Sequence, residues 1–558
     1  MTTPTSSSSR KDANPDPVVQ VRNLSVVFDT SRGEVTAVWN VNLDIHAGET
    51  VAVVGESGSG KSTLAASVNR LLASNGRIAS GTIRLGDVDI TSASERTMTG
   101  IRGRRIGMVP QDPMTNLNPV MRVGAQIAEA LEVHGRSHGP AARATAVDLL
   151  TRAGISDPET RFDQYPHEFS GGMRQRVLIA MALACQPDVL IADEPTSALD
   201  VTVQRLVLDQ MSSLAADAGA AVLLITHDLA LAAERADRIV VMFRGEVVET
   251  GPAAQILQAP QHEYTQRLLA AAPSMASAKV AAVSKAPADK APAERVLLEL
   301  TDVEKHYRIR GRREPFQAVA GLSMQIRAGQ TVAIVGESGS GKSTTAKLAL
   351  RLEHADAGTV RFEGTDIAHV RGTQLLGFRR AVQPVFQNPY ASLDPRYTIR
   401  DVIAEPLRVH RIGDRTSRRR TVDMLMDQVA LPAAFADRYP HELSGGQRQR
   451  VAIARALALD PRLIVMDEAV SALDVLVQEQ ILELMVQLQR DRDLGFLFIS
   501  HDLAVVRLVA HEVYVMQAGR VVEHGTPDAI FDHPEHPYTR QLIAAIPGHD
   551  ATRFGAVV

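Results

Sequence analysis

Lys61 and Lys342 each close a glycine-spaced run: Gly55-Glu-Ser-Gly-Ser-Gly-Lys-Ser-Thr63 and Gly336-Glu-Ser-Gly-Ser-Gly-Lys-Ser-Thr344. The pattern Gly-x-x-x-x-Gly-Lys-Ser lets backbone N–H groups converge on an anion, and the helix that follows adds its N-terminal dipole. The chemistry is phosphate binding. Lys61 and Lys342 are expected to reach the β- and γ-phosphates of a nucleotide, with Ser62 and Ser343 as ligands to Mg²⁺. Gly55, Ser57, Gly58, Gly60 and Thr63 complete one cradle. Gly336, Ser338, Gly339, Gly341 and Thr344 complete the other. Two matches in the same register exclude a chance glycine-rich turn.

Carboxylates, imidazoles and amides follow in the same order in both halves. Asp193 and Asp467 each end an apolar run and precede Glu194 and Glu468. An Asp at a strand end can hold the Mg²⁺ shell, and the next Glu can polarise the attacking water. An isolated Asp-Glu pair reads as a solvated turn; its place after a strand, downstream of a phosphate loop, favours the catalytic reading. His227 and His501 follow the next apolar run, where contact with the γ-phosphate is expected. Gln111 and Gln387, beside Pro113 and Pro389, can reach both Mg²⁺ and the water.

Positioning these groups requires strands that end at each motif. Val51–Val54, Val189–Ala192 and Ala221–Ile225 are short apolar runs that read as buried parallel strands, as do Val332–Val335, Leu463–Met466 and Phe496–Ile499. Ala141–Ala153 and Ser417–Ala430 carry apolar residues at helical spacing, among them Val422, Leu425, Met426 and Val429. The expected class is α/β: two phosphate-loop NTPase domains, each with a RecA-like core and a helical insertion.

The motifs recur at an interval of 281 residues at the lysines (61 to 342) and 274 at Tyr165-Pro-His-Glu and Tyr439-Pro-His-Glu. This is a duplicated domain. Composition places a Ser/Thr-rich tail at 1–16, domains at 17–272 and 297–548, an Ala/Pro/Lys-rich linker at 273–296 and a final tail at 549–558. A length of 558 residues accommodates several cores. The net charge of −4 gives no large positive field to draw nucleic acid. Cys185 is the single cysteine, which excludes an intrachain disulfide and a four-thiolate iron–sulfur cluster; it reads as a small core residue. No run approaches about 18 uninterrupted apolar residues, and the N-terminus shows no secretion signal.

With Ser170-Gly-Gly172 and Ser444-Gly-Gly446 the chain resembles the ATP-binding cassette (ABC) family over nearly its whole length. The resemblance implies ATP hydrolysis with Mg²⁺. It further implies that Ser170, Gly171 and Gly172 cap the nucleotide of the second half, while Ser444, Gly445 and Gly446, with Gln447 beside them, cap that of the first. It also implies an aromatic residue stacked on adenine, with Phe28 and Tyr307 in matching places; for Phe28 a plain core role is nearly equal.

Two further segment pairs resemble the dipeptide/oligopeptide/nickel importers. They are Gln111–Pro119 with Gln387–Pro395, and His262-Glu-Tyr-Thr265 with His536-Pro-Tyr-Thr539. That branch implies two membrane permeases and an extracytoplasmic substrate-binding protein as partners, and a peripheral place on the cytoplasmic face of the membrane. Departures from the pattern are Met173 where the second half has Gln447, and Ala469-Val470 where the first has Pro195-Thr196. Some relatives carry a cysteine cluster near the cassette C-terminus, which Cys185 alone cannot form. An exporter motor and a soluble twin cassette acting on ribosomes or DNA are the alternative readings. The tail segments oppose the first, and the short linker opposes the second.

Overall fold

The computed structural model describes residues 16–30, 33–112, 116–196, 199–271, 295–308, 314–386, 392–470 and 473–546. The expected tail 549–558 lies outside them, as do all but Asp16 of the N-terminal tail and most of the linker. Of the described residues, 16–196 and 206–270 form one compact unit, and 199–205 with 271 and 295–546 form the other.

The first unit is built on a six-stranded sheet in the spatial order Glu246–Pro252, Arg238–Phe243, Thr50–Val54, Ala221–Ile225, Val189–Asp193, Ile106–Val109. Thr50–Val54 runs parallel to the strands on both of its sides. Val51, Ala52, Val53 and Val54 are fully buried, as a strand sandwiched between helical layers must be. The three strands expected from apolar runs are therefore contiguous, and their carboxyl ends lie along one edge. That edge is where ligands bind in parallel sheets.

The second unit repeats the order with Arg520–Gly525, Glu512–Gln517, Thr331–Val335, Gly495–Ile499, Leu463–Asp467 and Val382–Val385. Its helical insertion contains Ile399–Val409 and Arg415–Gln428. Val422, Leu425, Met426 and Val429 are buried there, as their spacing predicts. The first unit carries Val123–Val133 and Gly139–Arg152 in the same place.

Each unit also has a four-stranded antiparallel sheet that periodicity did not reveal. In the first its order is Gly33–Ile45, Val19–Thr30, Gly76–Leu85, Val88–Asp89. Register shifts between Val21 and Leu24, and again before Val26 and Val27, break the alternation that would mark a strand. In the second unit Val296, which composition gave to the linker, pairs with Arg327 at the start of the strand Val296–Tyr307.

Cys185 is buried, and its thiol meets the Ala130 carbonyl at 3.5 Å. Burial pushes that thiol up from its usual pKa. Among the described residues no helix is long and apolar enough to cross a membrane.

Candidate active sites

Each phosphate loop leaves the middle strand of its sheet and enters a helix, Lys61–Val68 or Lys342–Ala349. Gly60 and Gly341 stand at the N-cap with φ of 100° and 107°, and no side chain caps either helix. The first-turn N–H groups are thus left for an anion. The chemistry of the loop explains its glycines. A Cβ on Gly55 would lie 2.2 Å from the Met242 carbonyl oxygen, and one on Gly336 equally close to that of Met516. Gly60 and Gly341 would meet the carbonyls of Ala37 and Ala318 at 2.6 and 2.4 Å. The loop is held tightly between neighbouring backbones.

Lys61 and Lys342 are buried along their stems. The Lys61 ammonium donates to the carbonyls of Gly55 and Glu56 at 2.7 and 2.8 Å, and Lys342 does the same to Gly336 and Glu337. Burial holds the Lys342 ammonium below its usual pKa, against the attraction of Glu468 and Asp467.

Ser62 donates to Asp193 Oδ1 at 3.1 Å, and Ser343 to Asp467 Oδ1 at the same distance. Burial lifts both aspartates above their usual range, the adjacent Glu adds to the effect, and the serine hydroxyl opposes it. A hydroxyl beside a desolvated carboxylate is an all-oxygen donor pair of the kind Mg²⁺ accepts. The cation would hold the carboxylate charged.

The next residue turns sharply. Glu194 and Glu468 have φ of 45° and 48°, left-handed conformations that cost a non-glycine residue about 1–3 kcal/mol. Their N–H groups bond the carbonyls of Ile225 and Ile499 on the adjacent strand, each at 2.9 Å. The turn carries each carboxylate out of the strand line to an imidazole. His227 Nδ1 lies 3.3 Å from Glu194 Oε1, and His501 Nδ1 lies 3.4 Å from Glu468 Oε2.

Gln111 Nε2 donates to Glu194 Oε2 at 2.9 Å. Burial alone would raise Glu194, but His227, Lys61 and Gln111 together hold it below the usual carboxylate range. His501 and Lys342 act likewise on Glu468. Burial would lower His227 and His501, yet their carboxylate partners raise both above the ordinary imidazole value. Each pair sets an imidazole against a carboxylate, and each favours the charged form of the other.

In the first unit Ser62 thus meets Asp193, and Gln111 and His227 meet the adjacent Glu194. Gln387 lies outside the described residues. Ser170 and Ser444 stand apart from these contacts: their hydroxyls cap the helices Gly171–Leu183 and Gly445–Leu457 by accepting from Met173 and Gln447. Phe28 packs on the buried core, and a Cβ on Gly76 would lie 2.5 Å from its ring. The Tyr307 ring is half-buried, with the Lys305 ammonium 5.6 Å from its centroid. Sequence reasoning did not single out Ser59 and Ser340, whose buried hydroxyls in the two cradles have no partner among the described residues. Their identical loop position was the available signal.

The family model described as ABC transporter matches residues 38–197 and 319–471, and that described as oligopeptide/dipeptide transporter, C-terminal region, matches 248–295 and 522–555. The chain is 44% identical to the glutathione import ATP-binding protein GsiA of Pectobacterium atrosepticum, over 96% of this chain and 90% of that protein. It is 44% identical, with the same coverage, to the protein of that name from Escherichia coli O157:H7. Two phosphate cradles with their carboxylates, matched by family in both halves, make the chain a member of the ABC transporter family.

Proposed function

We propose that the chain energises import of small peptides of the glutathione class, as the ATP-hydrolysing subunit of a membrane transporter. The observation that carries the reading is the similarity over nearly the full chain to glutathione import ATP-binding proteins, C-terminal regions included. Ser62, Asp193 and Gln111 would hold Mg²⁺ in the first half, and Ser343, Asp467 and Gln387 in the second. The cation supplies charge neutralisation along the phosphates. Glu194 and Glu468 orient the water that adds to the γ-phosphorus as the bond to the bridging oxygen breaks. Their ionised state suits them to accept its proton. His227 and His501 hold the carboxylates in place and face the γ-phosphate.

The cap on each nucleotide is read from the sequence. Ser444, Gly445, Gly446 and Gln447 serve the first half, and Ser170, Gly171 and Gly172 the second, because glycine amides and a hydroxyl suit an anion. Phe28 and Tyr307 are the candidates for adenine stacking. Two membrane permeases and an extracytoplasmic binding protein complete the transporter, with this chain on the cytoplasmic face.

The test is uptake of labelled glutathione, a dipeptide and a longer peptide by a strain lacking the gene. The parent chain is expected to restore uptake, and the double variant Lys61→Ala/Lys342→Ala to fail. Uptake that survives deletion would remove the importer reading. Rescue by the lysine variant would remove ATP hydrolysis as its driving force.

A further inference from the structure

The C-terminal region matched to the oligopeptide transporters reaches back to the phosphate loop in both units. Tyr264 is buried, and its hydroxyl accepts the Glu56 N–H at 2.9 Å. Tyr538 is buried likewise and accepts the Glu337 N–H at 2.9 Å. The peptide group that donates is the one whose carbonyl, on Gly55 or Gly336, accepts the loop lysine at 2.7 Å. A single peptide plane is therefore fixed at both ends, by the tyrosine hydroxyl on its N–H and by the lysine ammonium on its oxygen. Hydrogen bonds arranged head to tail through one peptide polarise each other.

The tyrosine is itself held by its own motif. Glu249 accepts the N–H groups of Gln261 and His262 at 2.8 and 3.1 Å, and His262 Nδ1 accepts the Tyr264 N–H at 3.1 Å. Glu523 accepts from Glu535 and His536 at the same two distances, and His536 Nδ1 accepts from Tyr538 at 3.2 Å. The surroundings of the two rings differ. Tyr264 stacks on Phe243 with centroids 4.3 Å apart, and the equivalent place in the second unit is Gln517. The hydroxyl contact recurs where the ring contact does not. The motif, not chance packing, sets the geometry.

We infer that Tyr264 and Tyr538 are positioning residues for the phosphate-loop lysines, so that the C-terminal region sets how tightly each cassette holds nucleotide. The inference rests on the assignment of Lys61 and Lys342 to the phosphates. Tyrosine to phenylalanine removes one oxygen and keeps the ring. Loss of one neutral hydrogen bond corresponds to an affinity drop of about three- to tenfold.

The experiment measures binding of trinitrophenyl-ATP to the full chain in a double-mutant cycle. Its corners are the parent, Tyr264→Phe/Tyr538→Phe, Lys61→Met/Lys342→Met and the combination of all four. The expected result is weaker binding by the tyrosine variant in the parent background and little further change in the lysine background. Unchanged affinity in the parent background overturns the inference. So does an equal loss in both backgrounds, which would mark a general loosening of structure whatever the melting temperature does. If the lysine variant binds as the parent does, the phosphate assignment itself fails. That outcome is distinguishable from failure of the tyrosine role alone.

Discussion

At the scale of single residues, two of the chain's left-handed non-glycine positions fall where chemistry is expected. Glu194 and Glu468 take the left-handed region although neither is glycine, and the same bend delivers each carboxylate to a histidine. Their types and places were legible in the sequence; the bend was not, because a positive φ at Glu leaves no compositional mark. The glycines of the loop are readable in type but unequal in cost. Gly55 has a φ of 150° and backbone 2.2 Å from a would-be Cβ, while Gly58 has a φ of 83° and open space around it. Gly58→Ala is expected to cost about 1 kcal/mol, the penalty of a left-handed alanine. Gly55→Ala adds a clash with a backbone carbonyl that cannot swing aside, so it is expected to cost several times more. Thermal unfolding of the two variants checks this. Equal losses would mean that the loop is looser than its contacts suggest.

At the scale of elements, the two signature helices differ in their first turn, where Met173 stands opposite Gln447. Gln447 Oε1 accepts the Ser444 N–H at 3.1 Å while the Ser444 hydroxyl accepts from Gln447, closing a capping box. Ser170 accepts from Met173 in the same way, but a thioether cannot return the bond. Met173→Gln is therefore expected to stabilise the first unit by about 0.5–1 kcal/mol. A rise of a few degrees in the melting of that unit checks it, and no rise at all would show that the reciprocal bond is not worth forming there.

The carboxylates that hold the tail motifs offer a second check. Burial would raise Glu249 and Glu523, but the backbone N–H groups that donate to each carboxylate help to hold both below their usual value. A depressed carboxylate contributes stability that is full above about 4.5 and is lost as pH falls through its folded value. Glu249→Gln and Glu523→Gln should each lower the melting temperature at pH 7 by the equivalent of about 1 kcal/mol after solvent screening. The gap to the parent should narrow below pH 4.5. A gap independent of pH would exclude the carboxylate charge as its source.

At the scale of the whole molecule, legibility followed the physics of each element. The parallel strands could be read because full burial demands unbroken apolar runs, as in Val51–Val54 and Leu463–Met466. The antiparallel sheets could not, because bulges after Val21 and Leu300 shift the face that each side chain presents. The tail motif was visible as a repeat, but the hydroxyl of Tyr264 on the Glu56 amide spans 208 residues of chain, beyond any local pattern.

Duplication also bears on turnover. Each unit owns a lysine, a serine–aspartate pair and a glutamate–histidine pair with nearly the same distances, so neither half is a degenerate copy. Two independent motors would each keep about half the activity when the other is disabled. Under the head-to-tail capping proposed above, each cap also belongs to the other site's cycle, and a stalled site holds its partner closed. Glu194→Gln and Glu468→Gln are each expected to reduce steady-state ATP hydrolysis by the full chain to well under half. The double variant should lose about a hundredfold or more, the scale of general-base loss. Single variants that each retain half would establish independent sites. A double variant with normal turnover would take the glutamates out of the chemistry.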